Sequence, residues 1–557
     1  MKERLLSAAN SKLGVTLLAI IVTIVYCTQI SNVFDKKIDL NGDNVFYYTT
    51  AQALHNGQGF STIFGLDNPS PHMHFPPGYP AFLSVLMDLG IDSVIELKVA
   101  NCVLLLLSIL LLFVITKRIS GNAIFATLVC IVIACHAEIL RWASMIMSEQ
   151  LFLLLTTLAI FLLGSLEVEK LFTKGEWKSK IMLLSAAALL AYIYLVRSMG
   201  LSMAVAAIVW ALCLMLNVLI KGLKTKNIDK KQLCRYAVVA VVLLVGVMTF
   251  KFAWDARNNR ISPGFKSDYI GDFNKKPGGQ TMDGIEDWTG RIVSNTKAYL
   301  SCYIPDALFE KNNEAPVENP GTLPLIGGLL LVVLISYGLL RLGKTGFLMF
   351  LYLAVTYAVL MVWPEQYAGL RYFITLIPLI ILGFLGGLYG LVCDITRILC
   401  KKELSTLALV PSVIAAIIMI PRYVDAQEYY HQVAKIDSWT KVQNPSLRYF
   451  SLACEWAGKN LPENARMVSR KPELYYMLSG FRHCAGMIQY GTPEEVMKLL
   501  YDSDIEYILI DNMYIHAYRT YMPAVLKYSE HFALVGQWGQ FNNETGETPT
   551  MILRFVK

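Results

Sequence analysis

Four charged residues stand at, or just outside, the ends of apolar runs, where a charge near hydrocarbon is costly unless it has a partner or a task. Asp43 follows Asp39-Leu40-Asn41-Gly42, and Glu149 follows Met147-Ser148. A carboxylate at such a place can act as general base or metal ligand. For Asp43 the alternative is an N-cap of the 44–54 stretch, and for Ser148-Glu149 it is capping and dipole compensation. Arg197 closes one apolar run and Arg371-Tyr372 opens another. A guanidinium there suits a phosphate through paired hydrogen bonds, the alternative being a side chain that snorkels to the lipid headgroups. His72 and His74, at i and i+2, are a weak metal pair without a third partner.

These residues need a scaffold. The chain has 557 residues, 55% of them hydrophobic and only 16% charged, which exceeds what a soluble core can hide. Apolar runs long enough to cross a bilayer fall at 12–31, 95–116, 122–140, 148–166, 180–196, 199–220, 235–254, 322–340, 346–363, 371–393 and 404–421, about eleven crossings. The first run follows Lys2 and Arg4 and lacks a small-residue cleavage site, so it reads as an uncleaved span.

The net charge of +7 lies in alternate short connections: Lys117-Arg118, four Lys in 170–180, Lys221 to Arg235, Arg341 with Lys344, and Arg397 with Lys401-Lys402. By the positive-inside rule these are cytoplasmic, as is the N-terminus. The charge therefore marks topology in a plasma (inner) membrane and argues against a nucleic-acid partner. The opposite side receives loops 32–94 and 255–321 and everything after 421. The Gly78–Leu89 segment is too short to span and reads as an interfacial helix.

The expected fold is a polytopic α-helical membrane domain, 1–421, followed by a small extracytoplasmic α/β domain, 422–557. Helical patterns at 445–459 and 493–502 and strand patterns at 465–468, 505–510 and 551–556 carry that second expectation. Eleven cysteines form no CxxC pair. Cys454 and Cys484 lie in the tail, either paired or as two thiols.

The first extracytoplasmic loop is long and rich in glycine and proline, which suits an ordered functional segment better than a connector. Asp43, Tyr47-Tyr48, the Ala51 to Phe60 stretch, and Pro76-Pro77-Gly78-Tyr79-Pro80 together resemble the GT-C superfamily of membrane glycosyltransferases. The nearest resemblance is to the bacterial branch related to protein O-mannosyltransferases and the lipid A aminoarabinose transferase. Ser148-Glu149 resembles that group's second acidic motif, and Arg371-Tyr372 its late arginine-tyrosine.

The resemblance implies a sugar donor on polyprenyl phosphate and a glycan, lipid or protein acceptor. Asp43 is then the base, Glu149 assists, with a divalent cation held by these two if any is used, and Arg371, Arg197 and Tyr372 hold the donor phosphate. Tyr47, His74, Pro76, Pro77, Gly78 and Tyr79 form the substrate loop. One departure is Phe75, which stands where the aminoarabinose transferase has lysine before its proline, and it argues against that sugar. The rivals are a transporter or flippase, and a polymerase or ligase using lipid-linked sugars. The 255–321 loop, with Lys266, Asp268, Tyr269, Asp272, Lys275-Lys276 and Pro277-Gly278-Gly279, reads as a lid.

Overall fold

A computed structural model describes residues 7–557 apart from 67–68, 174–175, 266–270, 272, 277–279, 311–315, 318, 402–404, 514 and 542–547. Among the described residues, nine helices are long and apolar enough to cross a membrane, or ten if one bent pair counts as a single span. The first four helices in the chain are α1 (Lys12–Val33), α2 (Asp43–His55), α3 (Gly78–Asp88) and α4 (Val94–Ser120). The bent pair is α5 (Ala123–Cys135) and α6 (Ala137–Ala143), and α7 (Glu149–Ser165) is a shorter apolar helix of 17 residues. The bundle continues with α8 (Trp177–Val196), α9 (Gly200–Thr225) and α10 (Lys230–Ile261). Each of the eleven apolar runs is helical, but two depart from a plain crossing.

The first departure is a 65° bend at His136. Broken helix inside a membrane is tolerated only where protein resatisfies the backbone. Here Gln427 Nε2 donates to the Cys135 carbonyl at 2.7 Å, and the His136 ring reaches Ala307 O at 3.2 Å and Glu310 Oε1 at 2.7 Å. The second is α7, about 25 Å long at 1.5 Å per residue, shorter than the hydrocarbon zone. Its polar end is therefore recessed, and most of its residues are buried against neighbouring helices.

Residues 255–321 are more regular than a polar loop. Helix α10 runs on to Ile261, and α11 (Ile285–Ala298), a π-helical turn (Tyr299–Tyr303) and α12 (Ile304–Phe309) follow. Asn295 Nδ2 ties α11 to the carbonyls of Leu360, Met361 and Trp363. Of the residues named for the lid, Lys266, Asp268, Tyr269, Asp272, Pro277, Gly278 and Gly279 lie outside the described set. Four further helices complete the bundle: α13 (Thr322–Leu340), α14 (Gly343–Val362), α15 (Ile377–Cys400) and α16 (Ser405–Lys435). Two sequence boundaries move. The run expected to begin at 371 starts its helix at Ile377, because Arg371 lies in a 3-10 turn (Leu370–Phe373). The last helix passes 421 and its two internal prolines to end at Lys435, so the tail domain begins later than 422.

The tail has α17 (Pro445–Asn460), β3 (Met467–Ser469), α18 (Pro472–Leu478), β4 (Cys484–Gly486), α19 (Pro493–Asp502), β5 (Tyr507–Ile510), α20 (Ile515–Lys527), β6 (Phe532–Trp538) and β7 (Thr550–Phe555). The sheet order is β4-β3-β5-β7-β6, parallel across β4, β3 and β5 and antiparallel beyond. Strand alternation sends Met467, Leu509 and Ile552 to one face with α17 and α18, and Val468, Ile508 and Leu553 to the other with α19 and α20. Cys454 and Cys484 are buried free thiols in the first of these cores.

The first loop is part of this domain's packing. Leu40 and Val45 belong to the α17–α18 core, and Cys484 N donates to Phe64 O at 2.9 Å. Within the loop a short ladder, β1 (Ser61–Thr62) with β2 (Ser70–Pro71), closes the segment between α2 and α3.

Candidate active site

Gly42 sets the position of Asp43. Its φ of +92° admits the sharp entry to α2, and a Cβ there would lie 2.7 Å from Glu473 Oε1 and 3.0 Å from Lys471 Nζ. Gly42, not Asp43, is the N-cap, so the capping alternative is not what the carboxylate does. Instead Asp43 Oδ2 accepts from Arg371 Nη2 at 2.6 Å. Its Oδ1 has no hydrogen bond among the described residues.

Glu149 is the first residue of α7, and its carboxylate gathers both arginines. Arg197 Nη1 stands 2.7 Å and Arg371 Nε 3.4 Å from Glu149 Oε1. Ser148 makes no cap hydrogen bond; its Oγ accepts from Arg197 Nη1 at 3.0 Å and lies 3.3 Å from the Tyr47 hydroxyl. Arg197 thus points into protein and does not snorkel. The four charges form one chain, Asp43–Arg371–Glu149–Arg197, with no net charge.

Exposure divides that chain. The Glu149 side chain is 0% exposed and Arg197 13%, whereas Asp43 and Arg371 are 23% and 29% exposed. The inner pair is an anchor and the outer pair faces open space. Burial works against charge on both guanidiniums, but Glu149 beside each, and Asp43 beside Arg371, hold them protonated above the ordinary arginine range. Burial pushes the Tyr47 phenol up to about 12, so it serves as a hydroxyl.

The Arg371 guanidinium also lies over the Trp142 ring, 5.1 Å from its centroid. Trp142 Nε1 donates to Glu138 Oε2 at 3.2 Å, and Glu138 accepts from the Tyr430 hydroxyl. Asn101 is a second concealed support. Its Nδ2 donates to Met145 O and Met147 O at 2.6 and 3.1 Å, holding the turn that leads into Ser148-Glu149.

The proline loop buttresses this centre. Phe75 packs on Tyr47 at 5.0 Å, and Tyr79 meets Tyr47 edge-on at 5.0 Å while exchanging hydrogen bonds with Asn101. Pro77 caps α3, and Gly78 packs so tightly on Leu195 that a Cβ would sit 2.7 Å from its backbone. Pro76 carries the chain between these contacts. Of the remaining expected residues, the His74 ring meets Phe75 edge-on at 4.5 Å, and the Tyr372 ring meets Trp363 at 6.0 Å. His72 is structural, its Nε2 accepting from Phe75 N at 3.0 Å.

The donor set does not fit a metal shared by Asp43 and Glu149. A guanidinium fills the space between the two carboxylates, and no group of three or more His, Cys, Asp or Glu among the described residues is placed to hold an ion.

No family model matches the sequence, and no curated protein matches it in sequence. Solved structures do match. The apo oligosaccharyltransferase of Archaeoglobus fulgidus superposes with a TM-score of 0.59 at 12% identity, covering 95% of this chain and 73% of that one. The same organism's AglB, in complex with an inhibitory peptide and a dolichol-phosphate, gives 0.52 at 13% identity over 96% and 74%. ArnT from Cupriavidus metallidurans, bound to undecaprenyl phosphate, gives 0.54 at 10% identity over 98% of both chains. The chain has the GT-C fold. The likeness extends over 95–98% of this chain, and so over most of the membrane bundle, first loop and tail domain together.

Proposed function

We propose that the chain transfers a sugar from a polyprenyl-phosphate donor to a hydroxyl acceptor on the extracytoplasmic face of the plasma membrane. The observation that carries this reading is the Arg371–Asp43 ion pair, half open, resting on the buried Glu149–Arg197 pair. It couples a phosphate ligand to a carboxylate base at the recessed end of α7, where a lipid-anchored donor would reach it. The neighbours bound to dolichol-phosphate and undecaprenyl phosphate support the same donor class for this chain.

The acceptor oxygen attacks the anomeric carbon as the bond from that carbon to the phosphate oxygen breaks. The proton of the acceptor hydroxyl passes to Asp43, and polyprenyl phosphate leaves with its added charge on Arg371. Donor phosphate competes with Asp43 for the same guanidinium, so donor binding frees Asp43 Oδ2 to meet the hydroxyl of the arriving acceptor. Arg197, locked to Glu149 and Ser148, backs Arg371 from beneath. Glu149, fully buried, is a positioning residue in this scheme and not a second base. The tail domain lies over the centre through Lys471 and Glu473 at Gly42.

The test is transfer of label from a radiolabelled polyprenyl-phosphate sugar pool to an envelope acceptor fraction by the purified, reconstituted protein. Label moved by wild type and lost in a folded Asp43→Asn variant is expected. Equal transfer by both refutes the role of Asp43, and transfer by neither across several sugars refutes the function.

A further inference from the structure

The tail sheet has a topological feature with chemical consequences. Strand β3 lies between its two parallel partners, and the chain leaves it through α18 to β4 on one side, then returns through α19 to β5 on the other. The two helices lie on opposite faces, as the separate cores show. In doubly wound sheets the connections diverge at such a point, beyond the carboxyl ends of the two strands, and ligands bind there. In this chain that point lies between β3 and β5.

At and just past those ends lie Ser469, Arg470 and Lys471 on one strand and Asp511 and Asn512 on the other. Asp511 is fully buried; its Oδ1 accepts from Met513 N at 3.0 Å, but its Oδ2 has no hydrogen-bond partner among the described residues. The β5–β7 register pairs Ile510 with Met551, which sets Thr550 opposite Asp511. The Thr550 hydroxyl is also buried and unpartnered, as is Asn512 Oδ1. Buried polar groups are almost always hydrogen-bonded, so three unsatisfied ones together call for an explanation. Burial raises the Asp511 carboxyl above its ordinary range, while Arg470 and Lys471 beside it work to keep it charged.

The unfilled atoms are two acceptor oxygens and one hydroxyl, and the flanking side chains are cationic donors. Vicinal sugar hydroxyls match this set, because each can donate to a carboxylate or amide oxygen and accept from a guanidinium or ammonium. The place is also right, since Lys471, on the rim, lies against Gly42 beside Asp43. From this juxtaposition we infer that the β3–β5 switch point is a binding subsite for a sugar unit of the acceptor, with Asp511, Asn512 and Thr550 as its floor and Arg470 and Lys471 as its rim. Its assignment to the acceptor rests on the proposed transfer reaction; the binding itself does not.

The test uses the full chain in lipid nanodiscs and saturation-transfer NMR with methyl glycosides of glucose, mannose, galactose and N-acetylglucosamine, with ethanolamine as an amine control. At least one glycoside is expected to give a signal that Asp511→Asn and Thr550→Val each lower fivefold or more. If Asp511→Asn does not fold, the near-isosteric Thr550→Val decides. Absence of glycoside binding, binding that neither variant weakens, or binding of ethanolamine alone overturns the subsite. Binding with the expected variant pattern in a protein that transfers no sugar sustains the subsite and refutes the reaction instead.

Discussion

Arg371 Nη2 lies 2.6 Å from Asp43 Oδ2, across 328 positions of sequence. The same guanidinium touches Glu149 and covers Trp142, so its plane is fixed on three sides. Lysine retains the charge but neither the fork nor the stacking surface. Arg371→Lys is expected to lower transfer kcat/KM by about 10²-fold, with most of the loss in donor KM. Steady-state kinetics at varied donor concentration measure it, and an unchanged donor KM would contradict the assignment.

Glu149 has the opposite sensitivity. Glu149→Gln leaves Arg197 and Arg371 facing one another with their shared counter-charge gone, and breaking a buried pair in this way costs about 3–5 kcal/mol. The double variant Glu149→Gln/Arg197→Met is expected to recover much of the thermal midpoint in detergent while remaining inactive. Additive midpoint losses would show that the two residues are not coupled.

Gly42→Ala places a Cβ where Glu473 and Lys471 already stand, at a positive φ that alanine resists. The strain is about 1–3 kcal/mol. Transfer should fall more than stability does, because the displaced residue is the neighbour of Asp43. A variant with wild-type midpoint and wild-type rate would remove Gly42 from this role.

His72 supplies a pH dependence. Burial, with His74 and Arg257 nearby, lowers its pKa from 6.5 to about 3, so the folded loop keeps it neutral. The stability this contributes is complete above 6.5 and drains away as pH falls toward 3. Protonation removes the Nε2 acceptor of Phe75 N and loosens the loop against Tyr47. The midpoint of wild type is expected to fall more steeply than that of His72→Gln between about pH 7 and pH 4.5; parallel curves would exclude the effect.

Much of this architecture is legible in the chain because lipid permits few solutions: every apolar run became a helix, and the tail's three recognised strands formed. Strands β4 and β6 are harder to read. β4 is three residues long, and β6, at the sheet edge, mixes exposed and half-buried residues without a regular alternation. Within the site, Asp43, Glu149, Arg197 and Arg371 are visible as charges at the ends of apolar runs. Asn101 and Glu138 carry the same signal, polar groups within or beside apolar runs, but nothing in their spacing ties them to the four charges. Trp142 had no signal at all, since an aromatic residue beside an apolar run is ordinary. Tyr372 follows Arg371 in a 3-10 turn that directs adjacent side chains apart, so its ring faces Trp363 while Arg371 meets Asp43 and Glu149.

The contact at Gly42 also bears on how the molecule is made. Asp43 is synthesised early, but Leu40 and Val45 beside it find their core only in α17 and α18, and Lys471 and Glu473 close over Gly42 from the same late segment. A nascent chain with all its spans inserted therefore still lacks the walls of its reaction centre. Under the proposed reaction, competence for transfer arrives with the tail, and an unfinished chain has no organised centre with which to consume a lipid-linked donor.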